Sequence, residues 1–253
     1  MKKRLDVLLV ERGLAETRAQ AQALVLAGRV PGHEKAGEQI DERADLVVER
    51  PPRYVSRGGE KLEHALEAFD VSPDGLRCLD VGASTGGFTD CLLQHGAAHV
   101  IALDVGYGQL HPRLREDARV TVLERVNARH LPELPYAPKL VTCDVAFISL
   151  GTALPPALRA AAPGWHALPL VKPQFEAGRA EAKRGVVREP AVHARVLRDL
   201  SQAALGWNAR VAGVVDSGLP GPKGNREFFL HLVHDEQRSL PDELDAWIAA
   251  AVG

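Results

Sequence analysis

The stretch from Cys78 to Thr89 reads CLDVGASTGGFT, and its order of residue types decides the fold. An apolar strand runs into an acid, Asp80, and a loop of small residues follows (Gly82, Ala83, Ser84, Thr85, Gly86, Gly87). Phe88 then opens an amphipathic segment that reaches His95. A strand ending in such a turn sets bare backbone N–H groups and a helix N-terminus beside a bound ligand. The spacing matches neither the G-x-G-x-x-G of dinucleotide binding nor a lysine-containing phosphate loop.

Outward from this stretch, strand and helix patterns alternate. Strands are predicted at 76–81, 99–104, 119–124, 139–145, 166–172, 210–216 and 226–233, and helices around 58–69, 86–95, 109–115, 150–162 and 189–206. This alternation predicts an α/β fold with a mainly parallel sheet covered on both faces. Ligands in such sheets sit beyond the carboxyl ends of the strands, at the switch point, where Asp80, Asp104, Asp144 and Lys172 fall. Residues 1–50 form a separate unit. Leu5, Leu8 and Leu9 recur at helical spacing up to Gly13, and Thr17 caps a second helix that carries Ala21, Leu24 and Val25 and stops near Gly28. Short β-like pieces are expected around Arg29–Val30 and Leu46–Val48. Pro51-Pro52 opens a linker over 51–57, the α/β domain occupies 58–238, and the tail 239–253 reads as one amphipathic helix.

Composition narrows the function classes. The longest apolar runs fall short of the ~20 residues of a membrane helix, and the amino end lacks a signal-peptide core, so the expected compartment is the cytoplasm. Cys78, Cys91 and Cys143 lie far apart in apolar patterns and read as reduced core cysteines. The histidines show no ligand spacing, so no metal is expected. The formal net charge of −2 argues against a generally sticky polyanion binder. Residues 1–33 are different, with six Lys or Arg against three acids, which makes a local basic patch.

Asp104 follows the glycine loop by about twenty residues, a position suited to ribose hydroxyls. The alternative is an acid that caps the next turn, and the loop favours the ligand reading. Asn127 suits an adenine contact or a turn equally. Asp144 ends one apolar strand, Lys172 ends another, and Glu227 starts the last. A lysine at a strand end is ordinarily a solvated group. Lys172 is expected to share a ledge with Asp144, each following a strand that adjoins the first.

Together these segments resemble a known family. Ser56-Arg57-Gly58-Gly59-Glu60-Lys61-Leu62, the D-x-G-x-x-x-G-G loop, Cys143-Asp144-Val145, Val171-Lys172-Pro173-Gln174-Phe175-Glu176 and Asn225-Arg226-Glu227 occur in the order seen in FtsJ-like ribose 2′-O-methyltransferases. The loop is similar to the one by which Rossmann-like methyltransferases hold S-adenosylmethionine. Lys172 to Arg179, with Gly185-Val186-Val187-Arg188, resembles the substrate-side loop of the TlyA (haemolysin A-like) ribosomal RNA methyltransferases. Residues 4–30 resemble an S-four-type RNA-binding domain, although Pro31 to Lys35 stand where that family continues Val-x-Val-Asn-Gly.

The resemblance implies a Rossmann-like class I methyltransferase fold with a small N-terminal α+β RNA-binding domain. It implies S-adenosylmethionine held by Asp80, the 82–88 loop, Asp104, Asn127 and Asp144, and a catalytic tetrad of Lys61, Asp144, Lys172 and Glu227 with Lys172 as base. A lysine can take a proton only in its neutral form. The implied substrate is ribosomal RNA or a ribosomal subunit, methylated at a ribose, with cytidine as the target. Arg57, Arg179, Lys183, Arg184 and Arg188 are candidates for phosphate contact, with Arg4, Arg18 and Arg29 in the small domain. Each of these is otherwise a solvated surface residue. Alternatives are a methyltransferase of another RNA, or a ribosome-binding assembly factor without turnover. The family's haemolysin label suggests a pore former, and neither a spanning apolar run nor a pattern of lipid-facing hairpins supports one.

Overall fold

In the computed structural model, which describes residues 1–49, 52–178, 180–235 and 239–253, the chain divides into two units, Met1–Pro52 and Arg53–Gly253. In the first unit, β1 (Lys2–Arg4) leads directly into α1 (Leu5–Glu11), and α2 (Arg18–Leu26) and β2 (Gln39–Asp41) follow. Leu5, Leu8 and Leu9 from α1 meet Ala21 and Val25 from α2, with Val30 and Leu46 closing the small core. Thr17 accepts a hydrogen bond from Gln20 N, as its N-cap position predicts.

The small sheet differs from expectation. It pairs β1 with β2 antiparallel, Lys3 opposite Ile40, and the segments at 29–30 and 46–48 form no strand. Gly32 turns the chain with φ +80 just after Pro31. The segments on either side of that turn meet where Glu49 N donates to Arg29 O, without forming a ladder.

The larger unit begins with α3 (Gly58–Ala68), β3 (Arg77–Val81), α4 (Gly87–Gln94), β4 (His99–Asp104), α5 (Pro112–Arg115) and β5 (Val120–Glu124). It continues with β6 (Leu140–Cys143), α6 (Leu150–Ala160), β7 (His166–Val171), α7 (Pro173–Glu176), α8 (Pro190–Ala204), β8 (Ala209–Asp216), β9 (Phe228–His234) and α9 (Leu244–Val252). The sheet order is β5-β4-β3-β6-β7-β9-β8. The first five strands are parallel, and β9 and β8 are antiparallel to their neighbours. The strand before Asp144 therefore adjoins the first strand, as expected, whereas the strand before Lys172 lies one place further out.

The alternation of β3 sorts the core. Leu79 and Val81 face a cluster with Leu154 of α6, Leu197 of α8 and Ile248 of α9. Cys78 faces the other cluster with Leu62 of α3 and Leu92 of α4. All three cysteines are free and buried, as the sequence predicts. Two helices are shorter than expected. α5 is one turn long because His111, just before Pro112, takes an extended ψ of 136°, and α9 starts only at Leu244, after Pro241.

Candidate active site

Two adjoining cavities open at the carboxyl ends of β3, β4, β6 and β7. The larger, about 640 Å³, is lined by Gly82, Ser84, Asp104, Asn127, Asp144 and Phe147 among others. The smaller, about 350 Å³, is lined by Arg57, Lys61, the 82–85 loop, Gly87, Phe88, Asp144, Lys172, Pro222 and Glu227. Both share Gly82, Ser84, Asp144 and Ala146.

The glycine loop sets this junction. Gly82 has φ +84, and a Cβ there would overlap the Asp144 carbonyl, so only glycine lets the β3 and β6 loops approach. Asp104 draws the loop toward β4. Its Oδ2 accepts from Ser84 N at 2.7 Å and its Oδ1 from Gly106 N at 2.6 Å. The turn-capping alternative is thus realised, and the same carboxylate lines the larger cavity. Asn127 likewise does both, accepting from Arg129 N at 3.0 Å while lining that cavity.

Asp80 and Gly86 line neither cavity. Asp80 is fully buried and accepts from Thr89 Oγ1 at 2.7 Å and Thr142 Oγ1 at 2.9 Å. Burial, with a smaller push from Asp144, raises its carboxyl to about 7 against the pull of the two threonines. It ties α4 and β6 to β3 beneath the loop. Gly86, at φ +97, lies against Leu110 and Leu114.

The fold brings Lys61, Asp144, Lys172 and Glu227 to one cavity from four separate elements. Lys61 Nζ donates to Glu227 Oε2 at 2.5 Å, with both side chains buried. Lys172 Nζ lies 2.5 Å from Asp144 Oδ1, in a more open position. Glu227 Oε1 is buried and, among the described residues, without a partner. Arg226, the preceding residue, donates to the carbonyls of Ala251 and Val252 and so fastens the start of β9 to the end of α9.

Three contributors escape a reading of the sequence alone. Phe147, three residues after Asp144, is 91% exposed with φ +63, and its ring meets that of Phe175 at 5.1 Å. Glu176 reaches back to α6, accepting from Ser149 Oγ at 2.6 Å and Leu150 N at 2.8 Å. Asn225 is buried and braces the loops on either side of it. The motif around Asp144 is the only signal for Phe147. The partners of Glu176 and Asn225 are too distant in sequence to give one.

The candidate RNA contacts fall in different settings. Arg57 lines the smaller cavity. Lys183, Arg184 and Arg188 are exposed on one loop, while Arg179 lies outside the described residues. In the small unit, buried Asp6 accepts from Arg4 Nε at 3.0 Å, Arg4 Nη2 at 2.9 Å, Arg18 Nη2 at 3.0 Å and Gln22 Nε2 at 2.9 Å. The Arg4 guanidinium above all holds the Asp6 carboxyl well below the usual range. Arg4 and Arg18 therefore join β1, α1 and α2 while each keeps about half of its side chain in solvent. Arg29 is half-buried.

The chain is similar to known proteins along most of its length. The FtsJ-like methyltransferase profile matches residues 54–234, and the S4 domain profile matches residues 3–30. A Mycobacterium tuberculosis protein named 16S/23S rRNA (cytidine-2′-O)-methyltransferase TlyA is 49% identical over 94% of this chain and 92% of its own. Hemolysin A of Brachyspira hyodysenteriae is 36% identical over 91% of this chain and 99% of its own. A solved Streptococcus thermophilus structure, provisionally described as a hemolysin, is 41% identical, with TM-score 0.75 over 98% of this chain and 94% of that one. Among the described residues, no helix is long and apolar enough to cross a membrane.

Proposed function

The chain belongs to the FtsJ-like methyltransferase family and carries an S4 domain ahead of it, and on that premise we propose that it methylates a ribose 2′-hydroxyl of ribosomal RNA, at a cytidine, in the cytoplasm. The observation that carries this reading is the convergence of Lys61, Asp144, Lys172 and Glu227 on one cavity that shares the glycine loop with a second, larger one. The larger cavity fits S-adenosylmethionine. Gly82 and Ser84 line it without bulky side chains, Asp104 and Asn127 provide acceptors for hydroxyl and amine donors, and Val105, Val126 and Ile148 add apolar walls. Bound there, S-adenosylmethionine supplies an electrophilic sulfonium methyl.

A ribose hydroxyl is a poor nucleophile until its proton is removed. In the proposed reaction, Lys172 in its amine form would accept that proton as the ribose oxygen bonds to the methyl carbon, and the methyl–sulfur bond would break with its electron pair left on the sulfur of the departing S-adenosylhomocysteine. Asp144 fixes the direction of Lys172, and Glu227 fixes that of Lys61. The unpartnered Glu227 Oε1 is a buried acceptor that a ribose hydroxyl can satisfy. Much of the rate then comes from holding the two reactants in line. Phe147 offers an exposed ring to an unpaired base. Arg57, Lys183, Arg184 and Arg188, with Arg4, Arg18 and Arg29 of the small unit, contact phosphates, which position RNA without reading its bases.

The test is transfer of labelled methyl from S-adenosylmethionine to unmodified ribosomal RNA or subunits, followed by mapping of the modified nucleotide. Lys172→Ala should lower transfer by about 10²–10⁴-fold, the span of a general base, while S-adenosylmethionine affinity holds. Unchanged transfer removes Lys172 as base. Binding of ribosomal particles without any labelling by the wild type supports the assembly-factor reading instead.

A further inference from the structure

The loops beside Glu227 contain two turns of the same construction. Lys183-Arg184-Gly185 and Pro222-Lys223-Gly224 are each a short 3-10 turn. In each, a basic residue sits in the left-handed region, Arg184 at φ 55 and Lys223 at φ 57. A glycine follows in the same region, Gly185 and Gly224 both at φ +78. Left-handed backbone is uncommon for long side chains, and here it occurs twice, each time under a cation.

One buried amide holds both turns. Asn225 Nδ2 donates to Gly185 O at 3.0 Å and to Pro222 O at 3.1 Å, while Asn225 Oδ1 accepts from Val187 N at 3.1 Å. His193, also buried, reaches Val187 O at 3.1 Å from α8 and backs the first turn. The turns are close enough that Lys223 Nζ lies 3.9 Å from where a Cβ on Gly185 would stand. Among the described residues, neither Arg184 nor Lys223 has an acidic partner. Two exposed cations without acidic partners are therefore carried on neighbouring turns of braced backbone. Pro222 lines the cavity that holds Lys61, Lys172 and Glu227.

We propose that Arg184 and Lys223, braced by Asn225, form a single grip on one RNA backbone phosphate next to the target ribose. The inference rests on the methyltransferase reading above and adds Lys223 and Asn225 to it. A phosphodiester fits because it carries one negative charge with acceptor oxygens on both sides, so two cations can hold it and fix the ribose attached to it. Asn225 acts as a positioning residue and touches no substrate.

The experiment measures affinity for unmodified ribosomal RNA transcript against salt concentration, using the full chain, together with S-adenosylmethionine affinity. Arg184→Gln and Lys223→Gln should each weaken RNA binding about fivefold, and the double variant should lower the salt slope by about 0.7–0.9, one phosphate's worth, with each single variant lowering it by less. The double variant should fall short of the product of the two losses, because both cations serve one phosphate. Asn225→Ala should match the double variant with both cations present, and S-adenosylmethionine affinity should stay within about twofold of wild type in every case, since these turns lie outside the larger cavity. Losses that multiply independently, or single variants that bind as wild type does, overturn the grip while leaving the methyltransferase reading intact. The two glutamine variants are at exposed positions, so they decide the matter even if Asn225→Ala fails to fold. A wild-type chain that binds no ribosomal RNA overturns both readings.

Discussion

Phe147 keeps a left-handed backbone, φ +63, under a ring that is 91% exposed. Such a conformation costs a non-glycine residue about 1–2 kcal/mol, and the exposed ring returns little of it through burial. Phe147→Gly should therefore raise the unfolding temperature slightly. If the ring stacks on a base, the same variant should lower methyl transfer by the equivalent of about 1–3 kcal/mol; transfer kinetics and thermal unfolding check the two halves separately. Asp80 makes a different prediction. Its carboxyl is raised to about 7 when folded, against about 4 when unfolded. The folded state thus holds a proton over this window. Asp80's contribution to stability is full below about pH 4 and is lost as pH rises through about 7. Asp80→Asn should flatten the stability profile across that range, as read by denaturant unfolding at a series of pH values.

Glu176 joins α6 to the segment that follows β7. Its carboxylate caps the N-terminus of α6 through Leu150 N and Ser149 Oγ, four residues beyond Lys172, so it couples the loop after β6 to the one after β7. Glu176→Ala should cost about 1 kcal/mol through removal of this cap and lower kcat more than it changes S-adenosylmethionine affinity, with Glu176→Gln recovering part of the loss. Equal behaviour of the two variants would count against a positioning role. Elements of this kind were readable from sequence to very different degrees. The parallel strands follow from runs such as Cys78-Leu79 and Leu140-Val141, whose alternate residues both meet apolar neighbours. The pairing of Lys2–Arg4 with Gln39–Asp41 does not, because both strands are three residues long and mostly polar, and they lie far apart in the chain.

At the scale of the whole molecule, the four proposed site residues form a set in the sequence only through their order in the chain, since each alone looks like an ordinary structural group. Their pairing was not legible: that Lys61 meets Glu227 depends on β9 entering the sheet between β7 and β8. The division into two units carries its own prediction. A chain beginning at Arg53 should retain S-adenosylmethionine affinity, because every residue of both cavities lies beyond that point. It should also bind ribosomal RNA more weakly and with a shallower salt slope, by about 0.7–0.9 for each phosphate that the small unit neutralises in the full chain. The late arrival of β9 has a further consequence for how the enzyme comes into being. The glycine loop, Asp104 and Asn127 all precede β6 in the chain, yet Lys61 must wait for Glu227, and Arg226 beside it binds the carbonyls of Ala251 and Val252 in α9. A chain cut short before β9 would keep the residues proposed for the cofactor and lose the pairing of Lys61 with Glu227 that the proposed reaction needs.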